Sequence, residues 1–146
     1  MRVLSSVAGP IDRAEPEASC AFLSRRVFEA ARVPVEQVHV AELTDSTAFA
    51  ELEALEALGL CPRGRSGAFT ASGATALGGR IPVNTGGGLA GRGHVPGITG
   101  LAQMHDVVVQ LRGEARQRQV QAARIGLVAT AEDEAGSMTL HLLARP

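Results

Sequence analysis

His94 stands in the run Gly86-Gly87-Gly88-Leu89-Ala90-Gly91-Arg92-Gly93-His94-Val95-Pro96-Gly97-Ile98-Thr99-Gly100, where glycines crowd around one imidazole ahead of an apolar segment with helical spacing. Glycine permits positive φ and close backbone approach. A histidine on such a loop at a helix entrance can face a ligand with backbone N–H groups beside it. A neutral imidazole there can accept a thiol proton or donate to a developing oxyanion. The alternative is a ring that merely satisfies loop carbonyls. A second polar cluster, Thr44-Asp45-Ser46-Thr47, precedes Ala48 and Leu52. Each of its four side chains can cap a helix. His39 and His141 alternate with apolar neighbours and His105 follows Met104, so these three read as structural. Cys20 and Cys61 lack metal-ligand spacing and read as reduced structural thiols.

Composition narrows the chemistry. The 146 residues are 45% hydrophobic and only 3% aromatic, with formal net charge −1. That balance gives no electrostatic footprint for nucleic acid. All 14 basic residues are arginine, so a lysine Schiff base is excluded. No stretch is long enough to span a bilayer, and the start, Met1 to Val7, has no signal-peptide pattern. The expected location is the cytoplasm. A core rich in Ala, Gly and Val suits tight layers, and suits a subunit that buries apolar surface against another chain.

The elements that must position these residues follow from periodicity. Val3 to Ala8 reads as a buried strand ended by Gly9 and Pro10. Glu15-Pro16-Glu17 opens a helix with the stripe Cys20, Leu23, Val27 and Ala30, and Pro34 stops it. Val38 to Leu43 alternates as a strand. A helix then carries Ala48, Leu52 and Leu55 and ends at Gly59. Its Glu51, Glu53 and Glu56 form a solvated face. The Gly/Arg/Ser-rich stretch 61–79 reads as a long connection. Ile81-Pro82-Val83-Asn84 is a third strand, and Ile98, Leu101, Met104, Val108 and Leu111 stripe a helix ended by Gly113, with Pro96 able to take its first position. Ile125–Thr130 and Ser137–Ala144 form a hairpin whose tip holds Glu132-Asp133-Glu134. The order β-α-β-α-β-α-β-β over one domain, residues 1–146, argues for an α/β sheet covered by helices.

Several segments together resemble the thiolase superfamily, in its lipid-transfer-protein (SCP2-type) branch. The glycine run with Gly93-His94 and Gly97-Ile98-Thr99-Gly100 is similar to that family's catalytic-histidine loop. Ala41-Glu42-Leu43-Thr44-Asp45 resembles its Glu-x-His-Asp segment, and Ala57-Leu58-Gly59-Leu60-Cys61-Pro62 follows as it does there. The segment from Ala74 to Gly87 leads into the loop, and Gln110-Leu111-Arg112-Gly113 closes the helix in the family manner. The similarity covers about residues 1 to 130 and concerns only the C-terminal half of a two-half fold.

The resemblance implies a five-stranded mixed sheet with an antiparallel last strand. It implies His94, Thr44 and Asp45 as catalytic positions and Gly87, Gly88, Gly93 and Gly97 as substrate-binding ones. It implies a coenzyme A or carrier-protein thioester as substrate, with no metal and no covalently bound cofactor. The family's nucleophilic cysteine lies in the N-terminal half, so the expected partner is a chain carrying that half, the pair doubling to a heterotetramer. A scaffold subunit without chemistry is an alternative. So is a retro-aldolase component with an OB-fold/zinc-ribbon partner, although relatives use tyrosines for that step and this chain has none. Three positions depart from the family. Val95 separates His94 from Pro96, Thr44 stands where histidine or asparagine is usual, and Gly126 to Glu134 holds neither Cys-Gly nor His-Asn, leaving Thr130 as a poor substitute.

Overall fold

The computed structural model describes residues 1–132 and 136–145. Strand β1 (Arg2–Pro10) leads to helix α1 (Pro16–Ala31), strand β2 (Val40–Leu43), and helices α2 (Ala48–Ala57), α3 (Ser66–Ala71), α4 (Gly88–Arg92) and α5 (Thr99–Arg112). Strands β3 (Ile125–Glu132) and β4 (Ser137–Ala144) follow. The sheet order is β1-β4-β3-β2. β2 runs parallel to β3, and β4 runs antiparallel to both β3 and β1.

The sheet is mixed, as expected, but has four strands rather than five. Residues 81–84 make a single parallel bridge, Ala41 to Val83. Pro82 has no N–H to extend a ladder, and Asn84 turns out at φ 51. Two hydrogen bonds remain: Ala41 N–H to Pro82 O at 3.0 Å and Asn84 N–H to Ala41 O at 2.9 Å. The stretch 61–79 is also not all loop, because α3 lies within it. β1 is longer than expected and is half-exposed, as an edge strand must be. The hairpin tip at 133–135 lies outside the described residues.

Alternate strand residues serve two different cores. Ala41, Leu43, Leu127, Ala129, Leu140 and Leu142 face α1 and α2, where they pack with Leu23, Val27, Leu55 and Leu58. Val40, Val128 and Leu143 face α5, packing with Val107 and Leu111. Burial on both faces explains why β2 reads as fully buried (Val40 to Leu43) rather than alternating. α1 begins at Pro16, as its proline predicts, and ends on Arg32 at φ 54. Within its stripe Cys20, Leu23 and Val27 are buried, whereas Ala30 is exposed and Phe28 takes its place.

α5 departs most from its sequence reading. It starts at Thr99, because Gly97 at φ 73 takes the backbone out of helical space and keeps Pro96 outside. Its inner face is polar: Thr99, Gln103, Asp106 and Gln110 are buried beside Val107 and Leu111. Of the expected stripe, Leu111 is buried and Met104 and Val108 pack beside it, whereas Ile98 and Leu101 point outward, 58% and 70% exposed.

Candidate active site at the glycine loop

β2 ends at Leu43, opposite Ala129 of the parallel β3, which runs on to Glu132, and ligands in α/β sheets collect outside such carboxyl ends. Thr44 lies one residue beyond β2. Its N–H donates to Ala129 O at 3.0 Å and its hydroxyl accepts from Ala131 N–H at 2.9 Å. The side chain thus extends the β2–β3 pairing by one rung, and the cap of α2 is Thr47, whose hydroxyl accepts from Ala50 N–H at 3.0 Å. Asp45 does not cap α2 either. Its Oδ1 accepts from Leu89 N–H at 2.8 Å, tying the end of β2 to α4 across the glycine loop.

That tie explains one glycine. Gly88 has φ 60, and a Cβ there would run into the Asp45 carboxylate. Gly87, Gly93 and Gly97 also have positive φ, and Gly97 N–H reaches Glu132 Oε1 at 3.4 Å. The loop is therefore fastened to the ends of both parallel strands.

His94 emerges from this frame exposed to solvent. Its Nδ1 lies 2.9 Å from Thr99 Oγ1, which also accepts from Val95 N–H at 3.1 Å and lies 3.1 Å from Val95 O. A hydroxyl has one proton to give. If Thr99 gives it to Val95 O, His94 donates from Nδ1 and presents an unprotonated Nε2 outward. If Thr99 gives it to His94, Nε2 carries the proton and is a donor. The same contact thus supports a base or an oxyanion donor, according to tautomer. Among the described residues no hydrogen bond occupies Nε2.

His94 shares a cleft of ≈ 220 Å³ with Thr44, Ser46, Leu89, Pro96 and Glu132, and a wider one of ≈ 630 Å³ with Asp45, Thr47, Glu51 and Leu89. The structure thus brings His94, Thr44 and Asp45 together. It does not bring Thr130 into reach, since its hydroxyl is buried and donates to Gln103 Oε1 at 2.6 Å. His39 Nδ1 accepts from Ile125 N–H at 3.3 Å and His141 pairs with Ser6 at 2.8 Å, while His105 is at the surface.

Beneath the loop lies a charge network that motif reading missed. Glu42 on β2 is fully buried. Its Oε1 accepts from Gly86 N–H at 3.0 Å and from Thr85 Oγ1 at 3.2 Å, and its Oε2 lies 3.1 Å from Arg92 Nη2. The other Arg92 nitrogen, Nη1, pairs closely with Asp106 of α5. Arg118 Nη1 donates to Thr85 O at 2.7 Å, and Gln110 Nε2 to Thr85 Oγ1 at 3.0 Å. Burial raises the Glu42 carboxyl pKa most, and Asp106 adds to the rise. Gly86 N–H and Arg92 oppose it. Arg92 is two residues from His94, so this network sets where the histidine loop begins.

The glutamates of α2 are not a bare solvated face. Glu51 accepts from Asn84 Nδ2 at 2.9 Å, and burial raises its pKa. Glu56 accepts from Gly64 N–H at 2.7 Å and Ser66 N–H at 2.9 Å. Neither cysteine is a ready nucleophile. Burial, then the charge of Glu17, pushes the Cys20 thiol up to about 12, and burial raises that of Cys61. Among the described residues no cluster of three His, Cys, Asp or Glu side chains could hold a metal, and no helix is long and apolar enough to cross a membrane.

Residues 15–145 match the protein family described as Thiolase C-terminal domain-like. The chain belongs to that family. It is 38% identical over 122 residues to acetyl-CoA acetyltransferase of Methanothermobacter thermautotrophicus, covering 84% of this chain and 32% of that protein. It is 43% identical over 104 residues to sterol carrier protein 2 of Oryctolagus cuniculus, covering 71% and 19%. Benzoylsuccinyl-CoA thiolase subunit BbsB of Thauera aromatica is 35% identical over 98 residues, covering 67% and 26%. This thiolase-type chain thus spans a third or less of these relatives. The solved structure of an Ltp2-ChsH2(DUF35) aldolase superposes with TM-score 0.83 at 23% identity, over 98% of this chain and 39% of that one. At that identity the likeness is one of fold.

Proposed function

We propose that this chain is the small subunit of a split thiolase-like acyltransferase, supplying the histidine loop to a site whose nucleophilic cysteine lies on a thiolase N-terminal half. The observation that carries this reading is His94: an outward imidazole, held through Nδ1 by Thr99, at the mouth of a cleft it shares with Thr44. The raised thiols of Cys20 and Cys61 support a nucleophile from elsewhere. So do the exposed Ile98 and Leu101 of α5, which a second half would cover.

In this mechanism His94 Nε2 takes the proton of the partner's cysteine thiol. The thiolate attacks the thioester carbonyl of an acyl-coenzyme A or carrier-protein substrate, and the substrate's thiol departs. The cysteine keeps the acyl group as a new thioester, and His94 returns the proton to the departing sulfur. This reading gives Gly87, Gly88, Gly93 and Gly97 the task of shaping the loop along which the substrate approaches, and Asp45 holds that loop through Leu89 N–H. Two such pairs associate as a heterotetramer in the cytoplasm. One observation favours a retro-aldolase component with an OB-fold/zinc-ribbon partner instead: the fold shared with the Ltp2-ChsH2(DUF35) aldolase. Cleavage of the Cα–Cβ bond of a β-hydroxyacyl thioester to an aldehyde or ketone and a shortened acyl thioester protonated at Cα, without acylation of the cysteine, distinguishes it.

The test is His94→Ala in the complex assembled with the N-terminal half. Turnover falls roughly 10²–10³-fold while the complex keeps its mass. Turnover within about threefold of wild type assigns the chain a scaffold role instead.

A further inference from the structure

We propose that the half-open pocket between α1, α2 and the carboxyl ends of β2 and β3 is a binding site for a short, uncharged acyl chain, entered from the cleft at His94. The cavity holds ≈ 230 Å³ and is walled by Ile11, Leu43, Ala54, Ala129 and Met138. Thr44, Ser46 and Ala131 line both this cavity and the His94 cleft. A thioester whose carbonyl lies by His94 can therefore run its tail past these three residues into apolar space.

Size and charge define the chain it takes. A dry apolar cavity of about 150 Å³ accepts benzene, so this one accepts a phenyl ring or a straight chain of about six carbons. Cys20 adds a neutral thiol to the wall. Glu17 and Glu53 are the charged side chains of the lining. Arg63 pairs with Glu17 at 2.5 Å, so Glu53 is left to repel an anionic tail. The site thus prefers a neutral acyl group to one ending in a carboxylate. The inference takes only the ligand class, a thioester, from the proposed function.

The full chain labelled with ¹³C-methyl methionine reports directly. Met138 lines the cavity, while Met104 packs against the α5 core on the opposite face of the sheet. Hexanoyl-N-acetylcysteamine should shift the Met138 methyl saturably and leave Met104 in place. The adipoyl counterpart should bind at least fivefold more weakly. Ala54→Leu and, separately, Ala50→Leu should each weaken hexanoyl binding at least tenfold with the melting temperature maintained. The Met138 shift is read on this chain without turnover or a partner's cysteine, so the site stands or falls apart from the catalytic reading. Absence of a saturable Met138 shift overturns the proposal. So do equal shifts at Met104 and Met138, or binding undiminished in both filled variants.

Discussion

The two faces of the sheet are held by different physics. On the α1–α2 face, leucines and valines of the strands meet Leu23, Val27, Leu55 and Leu58 in a continuous apolar core. On the α5 face, Val107 and Leu111 pack at one end, and toward the glycine loop the contacts become charged: Glu42, Arg92 and Asp106. Apolar packing is tolerant of exchange at constant volume. A buried charge network is not, since each partner leaves another uncompensated when removed. The apolar face holds the fold and the charged face fixes where His94 stands.

The sharpest way to break that contrast is Arg92→Met against Leu140→Ala. Arg92→Met takes the nearest cation from Glu42 and Asp106, leaving Asp106 with Arg118 at 4.0 Å and Glu42 with no cation among the described residues, and should cost about 3–5 kcal/mol. Leu140→Ala opens a cavity in the other core and should cost about 2–5 kcal/mol. Urea unfolding measures both, and the two losses can be alike. The His94 ring signals in NMR separate them: they should move in Arg92→Met and stay in Leu140→Ala. Unmoved signals in Arg92→Met would show that the network does not position the loop.

A smaller effect sharpens the role of the loop's tie to β2. Gly88→Ala combines positive φ with a clash on Asp45, and should destabilise by about 1–3 kcal/mol. Amide exchange at Leu89 should accelerate with it, because its bond to Asp45 is lost. Protection of Leu89 at wild-type level would refute the tie.

The smallest effect belongs to the surface of the apolar face. Hydrogen bonds from Ser66 and Gly64 hold the Glu56 carboxyl down to about 2. A depressed folded pKa gives stability that is present above the ordinary value of 4.5 and is lost as pH falls toward 2. Glu56→Gln should therefore unfold at the same urea concentration as wild type near pH 2 and at a slightly lower one at pH 7. A difference that grows on acidification would contradict the assignment.

Sequence alone reached the α/β class with a mixed sheet, the start of α1 at Pro16, the stop at Gly59 just beyond α2, the final pair of antiparallel strands and the glycine loop around His94. Each is encoded locally, through proline at a helix start, glycine at a helix end, strand alternation or a motif. Through resemblance it also singled out Thr44 and Asp45, each of which shares a cleft with His94. It missed Glu42, Arg92 and Asp106 because their partners lie 50 and 14 residues apart along the chain, and no periodicity links a strand, a loop and a helix. It placed Met104, Val108 and Leu111 of α5 against the core correctly but misjudged the helix's first turn for a related reason. Ile98 and Leu101 look like core by spacing, yet buried Glu42 draws Arg92 and with it Asp106 inward, turning the polar side of α5 to the sheet. Likewise, Ile81 to Asn84 has strand-like residues, but Pro82 and the positive φ at Asn84 leave one bridge. Local chemistry determined which elements form. Long-range compensation of buried charge, visible only once the chain is folded, decided which faces meet and where the histidine points.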